Sequence, residues 1–250
     1  MSKCYRKPYL KKVIAKIEFT SKIDVPTKGL NKKSSELILK QFPILEPREV
    51  VTRQVKISET GAKETRDTQN HLIFHGKNRK KTICISPDFA YLEISKYSTS
   101  DLLKKDFILL LNVLADETDY SIKRFGLRFI NQIEIDESDP FSWDEYINSD
   151  LLAAFNIAED KNKISRIFSN IIQNYNDNMM INFQYGMHNP DYPSIIKKKL
   201  YILDFDAFLQ GVMEKELIQN QFDIAHTRIE NLFEKSIKQK LRDLMEEVNE

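Results

Sequence analysis

The period-two alternation of RFGLRFINQIEID, residues 124–136, constrains the fold more than any other stretch of this sequence. Successive side chains of a β-strand leave on opposite faces. Phe125, Leu127, Phe129, Asn131, Ile133 and Ile135 therefore share one side, which predicts a strand with one face in a core. Asn131 is the exception in that apolar row. Its amide needs a neighbouring strand end, a helix terminus or a bulge as partner, unless it serves a ligand. The opposite face carries Arg124 and Arg128 on either side of Gly126, where a backbone or a flat group can approach closely. Four residues of strand span about 13 Å. That is too far for both guanidinium groups to grip one small carboxylate, and it suits two phosphates, an acidic helix or cross-strand pairing with carboxylates.

The same logic places the other elements. Val13, Ala15, Ile17 and Phe19 alternate with polar neighbours and predict a first strand. A short helix capped by Ser34 or Ser35 and stopped by Pro43 follows. VVTRQVKIS, HLIFH, KTICIS and FAYLEIS then read as an antiparallel meander, and a helix capped by Ser100 or Asp101 gathers Leu103, Phe107, Leu110 and Leu114 on one stripe. After the strand at 124–136, a helical stretch around WDEYINSDLLAAF leads to strands in KISRIFSNIIQNY, MMINFQYGMH and KLYILDFDAF, the last giving way to a helix at Asp206. A C-terminal amphipathic helical region runs from Ile218 to Val248 with a bend near Ser236. The expected fold is α+β, with two similar antiparallel sheet-plus-helix halves of order β-α-β-β-β-α, residues 1–119 and 120–250, packed together. No residue-level repeat accompanies that recurring order.

Hydrophobic residues at 41% and charged residues at 30% fit a globular chain. The net charge of +1 hides an uneven distribution: residues 1–40 are strongly basic, from Lys3 through Lys40, against only Glu18, Asp24 and Glu36. Such a segment serves a solvated face, an acidic partner or a phosphate backbone, with Tyr5 and Tyr9 interleaved for stacking in the last case. Cys4 and Cys84 show neither ligand spacing nor a secretory framework, and the basic N-terminus lacks the continuous apolar core of a signal peptide, so a cytoplasmic protein is expected. The best apolar run, Phe107 to Ala115, falls short of the roughly 20 residues of a membrane span.

Chemistry-bearing patterns are sparse. His71 and His75 have the spacing of a helical metal pair, but HLIFH reads as a strand, where that spacing separates them by about 13 Å. Asp204 and Asp206 point to one strand face and are the candidate ligands of a hard cation such as magnesium; N-capping is the competing role of Asp206. Neither GxGxxG nor GxxxxGK[ST] occurs, and GLNKKS at 29–34 lacks the glycines of the latter, which excludes P-loop nucleotide hydrolysis. No GxSxG elbow occurs and neither cysteine has a catalytic setting. His226 sits at the edge of the Phe222, Ala225, Ile229 stripe, as a boundary residue or a general base without an identified partner.

RFGLRFIN at 124–131, LDFDAF at 203–208 and HTRIENLFEKSI at 226–237 together resemble a sporadically distributed family of uncharacterised prokaryotic proteins of about this size. The resemblance picks out Arg124, Gly126, Leu127, Arg128, Phe129, Ile130 and Asn131, then Asp204 and Asp206, then His226, Phe233 and Glu234. Arg242, Asp243 and Met245 approximate a closing arginine-glutamate-methionine element of that family. It implies no particular activity, cofactor or metal; its patchy occurrence suits accessory genes, including defence or mobile-element genes. The expectation is a non-enzymatic binding or interaction protein, with self-association through sheet edges or the C-terminal helix as one form of it. Its rivals are a small-ligand sensor or enzyme with a site between the halves, using Arg124, Arg128, Asn131 and His226, and a nucleic-acid binder using the basic N-terminal segment.

Overall fold

The computed structural model describes residues 4–58 and 61–248. Lys3 of the basic segment lies outside the described residues. Two short strands, β1 (Cys4–Tyr5) at one end and β11 (Glu247–Val248) at the other, pair antiparallel. Between them run β2 (Leu10–Phe19), α1 (Val25–Lys28), α2 (Lys32–Leu39), β3 (Ile44–Ser58), β4 (Gly61–His75), β5 (Lys81–Ile85), β6 (Phe89–Ile94) and α3 (Ser100–Glu117). β7 (Ile122–Glu134) opens the second half, followed by a 3-10 turn at Ser149–Asn156, β8 (Ile167–Asn174), β9 (Met180–Met187), β10 (Leu200–Met213), α4 (Lys215–Ser236) and α5 (Gln239–Met245).

The large strands form one antiparallel sheet of nine, in the order β3-β4-β5-β6-β2-β7-β10-β9-β8. The fold is thus mixed α+β, and the sheet continues through the 119/120 boundary because β2 pairs with β7 along most of its length. About that central pair, β6 corresponds in position to β10, β5 to β9 and β4 to β8. The first half adds β3 beyond this correspondence, so it has one strand more than the β-α-β-β-β-α order, and the second half has a 3-10 turn where the first has α1 and α2.

The alternation of β7 does what its sequence demands. Phe125, Leu127, Phe129, Asn131 and Ile133 are buried beneath the helices. α3 brings its stripe of Leu103, Phe107, Leu110 and Leu114 onto the same side, and α4 brings Ile218, Phe222, Ala225 and Ile229. Three rings tie the layers together: Phe107 lies 5.9 Å from Phe125 and 5.9 Å from Phe222, centroid to centroid. Each such aromatic contact adds about 0.5–1.5 kcal/mol to what burial of the rings supplies.

Several expected boundaries move. Asn31, rather than Ser34 or Ser35, caps α2, its side chain accepting from Ser34 N at 2.9 Å; Thr99, rather than Ser100 or Asp101, caps α3 and accepts from Leu102 N at 3.3 Å. In each case the residue just before the first helical turn has the extended backbone that points a short oxygen at the free N–H groups. Asp206 caps no helix: it sits mid-strand, because β10 runs on through Phe208 and Leu209 to Met213 and pairs with β7 over that length. The bend at Ser236 is a full break, where Ser236 Oγ donates to Leu232 O at 2.7 Å and Ile237 bridges to Ile147 before α5 begins.

Lys199 is the least foreseeable core residue. Its side chain is fully buried, with Nζ donating to Glu137 Oε2 at 2.5 Å and Ser142 Oγ at 2.7 Å while lying over the Trp143 and Tyr146 rings. The ammonium is tolerated because carboxylate, hydroxyl and two π-faces replace its water. It pins the 137–146 loop to the start of β10.

Candidate functional site

The residues singled out in the sequence fall on two sides of the sheet. On the face opposite the helices, Arg128 grips Asp204 with both ends of its guanidinium, Nε to Oδ1 at 2.8 Å and Nη2 to Oδ2 at 2.6 Å. Arg124 Nη2 donates to Asp206 Oδ2 at 3.1 Å and stacks over Phe208 at 4.7 Å. The flat group that Gly126 admits is Arg124 itself: a Cβ there would meet Arg124 Nη1 at 2.8 Å. Burial pushes the Asp206 carboxyl up, and the two guanidinium groups oppose that rise. The hydrogen bond from Arg128 to Asp204 raises the already high affinity of that guanidinium for its proton. Both aspartates are thus salt-bridged in a cross-strand ladder, and no group of metal-binding side chains occurs among the described residues. His71 and His75 also take separate partners, Cys84 Sγ at 3.9 Å for the first and Thr82 Oγ1 at 3.0 Å for the second. Burial raises the Cys84 thiol to about 11, so it stays protonated and is a poor nucleophile at neutral pH.

On the helix side, Asn131 and His226 meet at a cavity of about 450 Å³ lying between the halves. β7 supplies Phe129 and Asn131, α4 supplies His226, Ile229, Glu230, Phe233 and Glu234, the loop before α3 supplies Tyr97 to Thr99, and the chain ends supply Tyr5 and Met245. A bulge in β2 between Leu10 and Lys12 stands opposite Asn131. The Asn131 amide nitrogen donates to Leu203 O at 3.4 Å, a long bond, while the residue is only 6% exposed. Its amide oxygen accepts no hydrogen bond among the described residues, which leaves a polar group on the wall of a cavity of mixed lining.

Three rings surround that group. Tyr97 lies 5.5 Å from Phe129, and Phe129 lies 5.7 Å from His226, both edge to face. Tyr97 Oη and His226 Nε2 are hydrogen-bonded at 3.3 Å. Burial lowers the His226 pKa, against the pull of Glu230, Asp223 and Asp101, and burial raises the Tyr97 hydroxyl. Both groups are therefore neutral near pH 7.

The floor is held by the chain ends. Tyr5 Oη donates to Glu234 Oε1 at 2.6 Å, and Arg242 donates to Glu234 Oε2 at 2.9 Å and to Glu234 O at 2.6 Å. His226, Phe233 and Glu234 of the C-terminal motif thus gather at the cavity, whereas Arg124, Arg128, Asp204 and Asp206 lie across the sheet. Tyr97 went unnoticed in sequence because KYSTS reads only as a loop; the signal was an aromatic residue two positions before a helix cap. Lysines of the basic segment pair with carboxylates: Lys12 with Glu93 at 3.0 Å, Lys16 with Glu18 at 2.9 Å, Lys22 with Asp67 at 3.5 Å and Lys33 with Asp116 at 2.8 Å. Tyr5, engaged with Glu234 and Phe233, is not presented for base stacking. No helix among the described residues is long and apolar enough to cross a membrane.

No family model and no curated protein matches the sequence. What the protein does has therefore to be argued from the site.

Proposed function

We propose that the protein is a non-enzymatic binding protein that holds a small planar molecule, uncharged or cationic, in the cavity between its halves. The observation that carries this reading is the cavity itself, on whose wall Asn131 lies beside the rings of Phe129, Tyr97 and Phe233 with its amide oxygen accepting no hydrogen bond from the described residues. A ligand donor that reaches that oxygen takes the place of the water it otherwise bonds. The walls of Phe129, Tyr97, Phe233 and Ile229 suit a flat apolar body; Glu234 is paired with Arg242, and Asp101 and Glu230 outnumber Arg6 at the same cavity, which weighs against an anion. The neutral Tyr97 and His226 pair favours hydrogen bonding over proton transfer, since a general base works best with a pKa near the working pH. We place this activity in the cytoplasm, where Cys4 and Cys84 stay reduced, and read the chain as a member of the prokaryotic family that its three motifs resemble. In this reading the arginine-aspartate ladder is scaffold.

Tryptamine and nicotinamide serve as cationic and neutral probes, with benzoate as the anionic control. His226 ring resonances should titrate below about 6.5, and tryptamine or nicotinamide should shift them together with the Asn131 side-chain amide. Asn131→Leu should weaken binding about tenfold or more, the loss of one buried hydrogen bond to a ligand. Binding that leaves both residues unperturbed, or that survives Asn131→Leu unchanged, rejects the site.

Self-association is favoured separately by the β8 edge. The strand Ile167–Asn174 contains no charged residue and exposes Phe168 and Ile172 on one face and Ile171 on the other. Edge strands are ordinarily guarded by charge, as β3 at the opposite edge is by Glu46, Arg48, Glu49 and Arg53. A second copy is the occupant that fits, because antiparallel pairing of two neutral β8 strands about a two-fold axis needs no complementary charge. Light scattering should find a dimer that Ile172→Lys converts to monomer; a chain monomeric at all concentrations contradicts this pairing.

A further inference from the structure

A second cavity, of about 430 Å³, opens on the other side of the loop before α3 and shares Tyr97, Ser98 and Thr99 with the first. Its chemistry is opposite. Lys40 follows α2, Lys77 and Lys80 come from the β4–β5 turn, Lys96 from the loop after β6 and Lys105 from α3, and all line the same space. None of these lysines has an ion-pair partner among the described residues, although lysines elsewhere on the chain commonly do. The carboxylate in the wall, Asp106, is buried and occupied: Lys81 Nζ holds it at 2.8 Å, while that ammonium also reaches Gln41 at 3.3 Å and lies 4.4 Å from the Phe42 ring centre. The N-terminal end of α3 borders the cavity through Thr99, Leu102 and Leu103, adding the positive end of its dipole.

We infer that this cavity binds a small molecule carrying two or more linked phosphates. Like charges drawn into one concavity repel unless an anion enters, and a concave wall of one sign concentrates counter-ions. One phosphate, with about −1.5 to −2 charges, leaves much of this field unmatched. A linked pair or triple comes closer to balance, and the volume accepts it. Lysine ammonium groups on flexible stems suit such a target, since they act as point charges that adapt to successive phosphates.

The test uses the full chain with tripolyphosphate as probe, read by titration calorimetry at low salt. Binding should weaken steeply as salt rises toward 0.5 M, because the cations are exposed to solvent. The double variant Lys96→Gln/Lys105→Gln should lose about tenfold or more in affinity, whereas Lys197→Gln/Lys198→Gln, which changes charge equally outside the cavity, should not. These lysines are exposed, so folding is not at stake. A nucleoside triphosphate that binds as tightly as tripolyphosphate assigns the site to the phosphate tail; one that binds much more tightly and still depends on Lys96 and Lys105 assigns it to a nucleotide. No binding of either at low salt, equal losses in both double variants, or binding of an oligonucleotide alone overturns the inference.

Discussion

Exchanging Arg128 for alanine is expected to lower stability by about 2–3 kcal/mol, read as a shift of the urea midpoint at constant slope. Asp204 is only 7% exposed and both its oxygens rest on that guanidinium, so the variant buries a carboxylate without its cation. The Arg128 side chain is 42% exposed, and water at its outer edge keeps the loss below the roughly 3–5 kcal/mol of a sealed pair. Removing both charges with Arg128→Met and Asp204→Leu should bring stability back to within about 1 kcal/mol of the parent, because apolar replacements of similar bulk need no partner. If the double variant stays as unstable as the single one, lost packing rather than an orphaned charge is the cause. The deficit should also shrink in acid. Asp206 has a folded-state pKa raised above its unfolded value, so the folded chain binds more protons and the favourable contribution is lost as pH rises through the folded pKa. Taking away Arg128 raises that pKa further, and protonation below about pH 4 relieves the variant more than the parent. The cavity across the sheet should be indifferent: nicotinamide should still shift His226 in Arg128→Ala. A lost shift would draw the arginines into the site.

How the opening motif divides between scaffold and site shows what a sequence can reveal. Alternation assigned Phe125, Leu127, Phe129 and Asn131 to one face and the arginines to the other, since face is a local property of strand geometry. It carried no information on which strand lies alongside. That Arg128 meets Asp204, and Arg124 meets Asp206, follows from the register of β7 against β10, a pairing between distant segments. The helix expected at Asp206 failed for the same reason: FDAFLQGVM is locally compatible with either structure, and the long pairing with β7 decides for strand. Asn131 was legible as an anomaly in an apolar row, but its partner is Leu203 O within β10, not the strand end, helix terminus or bulge expected; the cavity beside it was not legible, because Tyr97 and His226 reach it from other elements. The cluster of Lys40, Lys77, Lys80, Lys96 and Lys105 was still less visible. Scattered over one helix and three connections, these residues look like ordinary solvated lysines until the β4–β5 turn and α3 close on the same space.

Replacing Gly186 with alanine is expected to have the largest effect of any single substitution on β9, and the reason is steric on two counts. Gly186 has φ +138°, a backbone region that side chains of L-residues avoid, and a Cβ built there stands 2.4 Å from Ile167 O and 3.1 Å from Phe168 Cα. Those atoms are backbone of β8, so no side-chain rotation relieves the clash. Either β9 changes its dihedral angles or β8 moves away at the Phe168 pairing. The cost should be about 3 kcal/mol or more, and for a chain of this size the melting temperature should fall by roughly 6–12 °C. Hydrogen exchange locates the damage. Amides of β8 and the adjoining part of β9 should lose protection well before those of β7, which pairs with β2 and β10 and not with β9. If the proposed pairing of β8 with a second copy holds, dimerisation should fail in this variant at temperatures where the monomer core is still folded, while nicotinamide binding near Asn131 persists. A loss below about 1 kcal/mol would mean that β8 yields at little cost; an edge that soft is unsuited to templating a second sheet.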